Sequence, residues 1–302
     1  MNKQRVYFGS IPVSTPARSS FLAIALAVLF ASTVAAASTP QGHFEKTFQV
    51  SGPVDLEVQT RSGDVVVRSG ASGSVSIRAE IYVGDHWLFG DRHTDVSDIE
   101  QHPPLRQDGN SIHIDNVSVR DISVNYEITV PVDTAVRSHS GSGNQIIESI
   151  HGNVDLQTGS GNVRALDIAG PVRGGAGSGD LELQEIASGD IDLHTGSGNI
   201  SVRGLQGALR AGAGSGDISA EGTQAGPWEI RTGSGNVRVR LPANAAFDAD
   251  ISTSSGKLDV DAPVTMTVEG RVEDTRKRIV GKVRGGGPQL TLRTGSGDIQ
   301  VE

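Results

Sequence analysis

A short phrase recurs down the second half of the chain, and its spacing leaves little choice of architecture. It reads Thr158-Gly159-Ser160-Gly161-Asn162. Its Ser-Gly core begins again at Ser142, Ser178, Ser197, Ser215, Ser234, Ser255 and Ser296, with an outlying copy at Ser62. From Ser142 onward successive cores lie 18, 18, 19, 18, 19 and 21 residues apart, and the last gap, 41, is about two periods. Each copy sits between short runs in which apolar and polar residues alternate, the period of a half-buried strand. Leu156 and Thr158 precede one turn; Val163 and Ala165 follow it with the alternation slipped by one. A corner produces that slip, and glycine allows it because positive φ is open to it.

One such unit cannot bury its apolar face alone, whereas stacked units share a continuous core. The spacing therefore predicts an all-β fold, a parallel β-solenoid with about 18–19 residues per coil. A flat meander of antiparallel hairpins is the rival geometry. In the solenoid, Leu156, Leu193, Ile230 and Leu290 form one inward ladder, and Val163, Ile200, Val237 and Ile299 the next. The residue after Ser-Gly runs Asn144, Asn162, Asp180, Asn199, Asp217, Asn236, Lys257, Asp298. Both Asn and Asp bond nearby backbone in turns, and like charges stacked directly opposite repel. Asn162, Asp180, Asn199, Asp217, Asn236 and Asp298 are thus expected to form a structural turn ladder in which neutral rungs separate carboxylates.

Residues 1–37 read as a secretory signal peptide: Lys3, Arg5 and Arg18, then the apolar run Phe21 to Phe30, then Ala35-Ala36-Ala37, with Ser38 as the new N-terminus. The apolar core is short for a spanning helix, no transmembrane segment is expected after cleavage, and the chain has no cysteine to lipidate or oxidise. These features predict export to the periplasm or cell surface and a single solenoid domain over 38–302. The formal net charge is −9, and losing the three basic residues of the leader leaves −12. That balance argues against nucleic acid as a partner, since phosphate binding needs a basic surface.

Two stretches break the pattern. Residues 84–108 are read as a loop insertion on the solenoid flank. There Trp87, Phe89, His86 and His93 are a possible partner contact, and the histidine spacing matches no compact metal motif. Residues 262–288 hold two alternating runs, one rich in Lys and Arg, and read as a hairpin-like excursion. Phe44 and Phe48 are candidates to cap the first coil, and Pro227-Trp228 is expected to be a bend with the aromatic packed on the side. The repeat at Leu290 to Val301 is expected to be the last coil, its sheet edge open.

The phrases at Thr158 to Asn162, Thr195 to Asn199, Thr232 to Asn236 and Thr294 to Asp298, following a signal peptide, resemble the bacterial putative-adhesin β-strand-repeat family, secreted proteins of unknown function. The resemblance covers about residues 44–302 and implies a right-handed β-solenoid. No cofactor, metal or catalytic residue is expected. The calcium β-roll repeat needs Asp one place earlier than Gly174 to Asp180 supplies, and Ser160 lies in G-S-G with no histidine beside it. The expected function is a non-enzymatic, adhesin-like or envelope-associated scaffold whose partner is a cell-envelope polysaccharide or a surface protein. The alternative is a polysaccharide-active lyase or hydrolase using Asp180, Asp190 and Asp217, since glycoside hydrolysis needs paired carboxylates.

Overall fold

A computed structural model describes residues 39–84, 92–187, 189–266 and 277–302, with no side-chain description for 92–94, 264 and 266. The leader assignment over 1–37 lies outside these residues. The described chain is nearly all strand, and its repeats pair in parallel: Val154–Ser160 lies between Thr134–Ser142 and Val172–Ser178, and Val163–Ile168 lies between Gln145–Ile150 and Leu181–Ile186. This is the parallel β-solenoid that the repeat predicts, and the antiparallel meander is excluded for the repeats. Each coil is named below by its corner serine.

The corner glycine takes positive φ in every copy, +149° at Gly161 for example. Across the corner the inward face resumes on Val163, Leu181, Ile200, Ile218, Val237 and Ile299, all in register and almost wholly buried. The ladder before the corner runs Leu156, Leu193, Ile230 and Leu292, with small residues between. Leu290, expected in that row, instead stacks on Trp228 one row earlier. A second bend was not expected. Ser149, Asp167 and Glu185 all take φ near +56°, and Gly204 takes the same place in the next coil. The bend re-aims the chain so that Ile150, Ile168, Ile186 and Leu205 point into the core.

Coil order in space departs from coil order in sequence at both ends. The Ser234 coil pairs not with the Ser255 coil but with the Ser296 coil: Trp228–Ser234 lies beside Leu290–Ser296, and Val237–Val239 beside Ile299–Val301. The Ser255 coil packs on the far side of Ser296. The chain therefore leaves the stack after Arg240, builds the outer coil, and returns to fill the space between. The expectation that residues 290–301 form an open last coil is wrong for this reason; both edges of that coil are paired. The strand Arg278–Val283 runs antiparallel to Phe247–Ser252 and to Val264–Met266.

The N-terminal end mirrors this. The Ser62 coil is sandwiched between the Ser142 coil and an outer coil made later, from Ser111–Ile114 and Ile122–Val130. Antiparallel strands Ser74–Val83 and Gly42–Gln49 then extend the sheet outward. Phe44 is buried there, edge-on to Tyr126 at 6.4 Å, and Phe48 is half-buried. Burial pushes the Tyr126 phenol well above its ordinary range.

The 84–108 stretch is not a plain loop. It holds an α-helix, Arg92–Gln101, and a strand, Leu105–Asp108, paired antiparallel with Ser111–Ile114. Among its residues with described side chains, the helix buries Val96 and Ile99, three residues apart, against the cap around Gly42. Two apolar positions are too few to stand out as a helical period. Trp228 is also not packed on the side. It is fully buried, and its indole N–H donates to Gly207 O at 2.9 Å. The strand around Pro227 carries extra residues relative to Gly207–Leu209, and that bulge turns the indole inward.

One coil has a polar interior. Ser138, Ser140 and Gln145 occupy inward positions in the Ser142 coil, where neighbouring coils place Val58 and Leu156, Thr60 and Thr158, and Val65 and Val163. Gln145 Nε2 donates to Gln157 O, but the Ser138 and Ser140 hydroxyls and Gln145 Oε1 have no partner in the protein. An unpartnered buried hydroxyl costs about 1 kcal/mol or more. Ser138→Ala is therefore expected to stabilise the fold by roughly 1 kcal/mol, seen as a rise of about 2–4 °C in melting temperature by scanning calorimetry.

Candidate functional site: a charge-alternating groove along the stack

Two rows of equivalent side chains run along the outside of the stack. The first is the corner row. Each corner Asn or Asp accepts, through Oδ1, the backbone N–H of the corresponding residue in the next coil. In spatial order the acceptors are Asn125, Asp64, Asn144, Asn162, Asp180, Asn199, Asp217, Asn236 and Asp298, at 2.7–3.0 Å, and the last donor is Lys257. No two aspartates are adjacent. The asparagines after Asp64, Asp180 and Asp217 add a second bond, from Nδ2 to the same carboxylate oxygen at 3.2–3.4 Å. Behind the row, Thr195, Thr232, Thr253 and Thr294 donate Oγ1–H to the corner glycine carbonyl of the adjoining coil at 2.9–3.0 Å.

The corner row carries structure first. Asn199→Asp would keep the acceptor, lose the second bond to Asp180, and place three carboxylates in succession at ~4.8 Å coil spacing. Two such repulsions amount to about 1–2 kcal/mol in water. Urea unfolding should show that loss near neutral pH in low salt, and 1 M salt should screen most of it. The new carboxyl would be harder to ionise folded than unfolded. The penalty is therefore present above the carboxylate range and vanishes as pH falls through it.

The second row lies on the strands before the corner. Its outward residues, in direct register from coil to coil, are Glu57, Arg137, Asp155, Arg173, Asp192, Arg210 and Glu229. Charge alternates at every step. Opposite charges facing each other across strands stabilise the sheet modestly; within the row Arg210 and Glu229 are paired at 3.5 Å, and Arg137 reaches Asp55 outside it at 3.7 Å. A hydrogen bond from Gln59 holds the Glu57 carboxyl below its ordinary range, and His113, 3.3 Å away, adds to the effect. The arginine side chains stay more than half exposed at Arg137 and Arg210.

Beside this row runs a groove of about 790 Å³. Its charged wall is the row from Arg137 to Glu229, and its other wall is formed by Ala135, Asn153, Pro171, Ala208 and Pro227, interrupted by the carboxylate Asp190 and ending at Asp55. The groove spans seven coils from Asp55 to Glu229, about 29 Å at ~4.8 Å per coil. Sequence reading did not find this row. The signal was present: at the 18- or 19-residue period Arg137, Asp155, Arg173, Asp192, Arg210 and Glu229 change sign at every step.

The carboxylates of the enzyme alternative do not converge. Asp180 and Asp217 lie in the corner row with Asn199 between them, each holding the next coil's N–H. Asp190 lies in the groove, at the far end of the seven-residue strand Ile191–Ser197, about 20 Å along the sheet. Trp87, Phe89 and His86 lie outside the described residues, and His93 lies on the helix Arg92–Gln101 without a described side chain. Among the described residues no three His, Asp or Glu side chains gather as they would around a metal ion. None of the described helices is long and apolar enough to cross a membrane.

Comparison with known proteins gives a family and remote structural likenesses. No curated protein matches the chain. A crystal structure of a putative adhesin from Bacteroides fragilis NCTC 9343 is 12% identical, with 87% of this chain and 98% of that chain covered and a TM-score of 0.47. A putative cell adhesion protein from Clostridium sporogenes ATCC 15579 is 11% identical over 86% and 98% of the two chains, TM-score 0.28. A putative adhesin from Parabacteroides merdae ATCC 43184 is 10% identical over 87% and 98%, TM-score 0.25. The family match is of another order, because the model for Toastrack DUF4097 takes in residues 40–302, the whole solenoid with its caps. By that match the chain belongs to the Toastrack DUF4097 family.

Proposed function

We propose that the protein is an exported, non-enzymatic, adhesin-like scaffold that binds an extended polymer of the cell envelope along the groove beside Arg137 to Glu229. The observation that carries this reading is repetition: a charged side chain borders the groove at the same position of six successive coils, from Arg137 to Glu229. A surface built of equivalent weak contacts gains affinity by engaging many of them at once. The leader over 1–37 would take the chain out of the cytoplasm. The non-enzyme reading is supported by the separation of Asp190 from Asp180 and Asp217 and by the backbone bonds that occupy the latter two.

The test is sedimentation with insoluble cell-wall and envelope polysaccharides, recording bound protein and released reducing ends together. Binding without sugar release is expected. Sugar release would overturn the non-enzyme reading. Failure to sediment with any envelope fraction would overturn the polymer-binding reading. N-terminal sequencing of exported protein should begin at Ser38; an intact Met1 would argue against a cleaved leader.

A further inference from the structure

Resting on the polymer-binding reading, the charge row narrows the class of polymer. Like charges along the groove recur every second coil: Arg137, Arg173 and Arg210 on one set of rungs, Asp155, Asp192 and Glu229 on the other. At ~4.8 Å per coil the arginines stand ~9.6 Å apart. A ligand that meets them all must carry an anionic group at that period, with neutral hydrogen-bond donors between. A polymer with a carboxylate on every unit fails this condition, because alternate carboxylates would fall on the acidic rungs.

An extended peptide strand also fits badly. Its same-face side chains recur every ~6.6–6.8 Å, so it loses step with the rungs within one or two repeats. A β-linked disaccharide repeat spans about two coil spacings and keeps step over the length of the groove. Its sugar ring offers hydroxyl and amide donors to the acidic rungs and to Asp190, and a C–H face to the Ala and Pro residues on either side of it. Arginine is suited to the carboxylate, since its guanidinium presents a planar fork of donors. The arginines of the internal ion pairs at Arg137 and Arg210 are more than half exposed, and exposed pairs are worth little, so turning these arginines to a ligand costs little.

We infer that the groove is a register-matched site for a linear β-linked polysaccharide of disaccharide repeat, bearing one carboxylate per repeat. No aromatic side chain lines it, so each repeat binds weakly and affinity depends on the number of rungs engaged.

The inference is tested with three soluble probes in chain-length series: hyaluronate, in which glucuronate alternates with N-acetylglucosamine; polygalacturonate, with a carboxylate on every unit; and uncharged dextran. Hyaluronate should bind best, by tenfold or more over polygalacturonate of equal length, and its affinity should climb with length until about three repeats are spanned. Arg173→Glu should abolish that preference. The paired change Asp155→Arg with Asp192→Arg makes the rungs from Arg137 to Arg210 basic without a break, leaving Glu229 at the end, and should transfer the preference to polygalacturonate. Circular dichroism of each variant checks that the fold is kept, and the gain of function in the second cannot come from misfolding.

Equal binding of the two acidic polymers would overturn the register argument. Hyaluronate binding unaffected by Arg173→Glu would place the site elsewhere. Failure to bind any probe would also overturn the inference. In each case the broader reading stands or falls separately, on sedimentation with envelope fractions.

Discussion

Removing residues 289–302 should unfold the C-terminal third of the solenoid rather than trim its end. Those residues form the Ser296 coil, which lies between the Ser234 and Ser255 coils and pairs with both. It buries Leu290, Leu292, Ile299 and Val301 almost completely. At about 1.5–3 kcal/mol for each buried aliphatic side chain, the lost burial is roughly 6–12 kcal/mol, comparable with the whole stability of an ordinary domain. The deletion also bares Trp228, Ile230 and Val239 on one side and Ala249 and Ile251 on the other, all buried in the intact chain. Limited proteolysis of the shortened protein should cut readily beyond Arg240, while the coils from Ser142 to Ser197 stay protected. In a stack built in sequence order, the same deletion would cost one end coil only. A shortened protein as protease-resistant as the full chain would refute the intercalated order.

Crosslinking tests that order without unfolding anything. Arg231 and Arg293 are register partners on adjoining strands, and adjacent strands stand ~4.8 Å apart, within disulfide reach. The chain has no native cysteine to compete. Arg231→Cys with Arg293→Cys should therefore crosslink on oxidation. Arg231→Cys with Ser252→Cys should not, because the Ser296 coil separates that pair by two spacings.

The periodic part of this molecule was legible in the sequence because each coil repeats one mould. Thr-Gly-Ser-Gly-Asx encodes a hydroxyl that bonds the adjoining coil, a glycine corner and a side-chain acceptor for the next N–H, so the motif and the geometry are one fact. Coil order was not legible, because identical corners pair equally well with any neighbour. One clue was present. The corner oxygen serves the following coil, so the outermost coil needs none, and the single exception in the row is Lys257. The groove was hidden for another reason: its charged wall depends on pairing across coils, which emerges only when the register is known. The helix Arg92–Gln101 was hidden by its two-residue apolar face.

Gly179→Ala should cost at least about 3 kcal/mol, since a residue forced into a sparsely populated backbone region costs ~1–3 kcal/mol before any clash. The corner glycine at 179 sits at φ +151°, and a Cβ there would stand 1.9 Å from Gly161 O and 2.6 Å from its carbonyl carbon. Neither atom belongs to a flexible side chain. Both are backbone of the adjoining coil, and Gly161 N–H is itself bonded to Ser178 O at 3.1 Å. Making room would push two coils apart along the corner row, stretching the Asp180 N–H bond to Asn162, 2.9 Å in the native fold. The loss would add to the backbone term, because a parallel stack has no slack along its axis. Gly109 is the control. It also has positive φ, +59°, but nothing lies within 4 Å of a Cβ there. Gly109→Ala carries the backbone term alone and should cost about 1 kcal/mol. Urea unfolding of the two variants separates close approach from backbone strain. A Gly179→Ala loss no larger than that of Gly109→Ala would mean the coils are not held as tightly as their corner bonds imply.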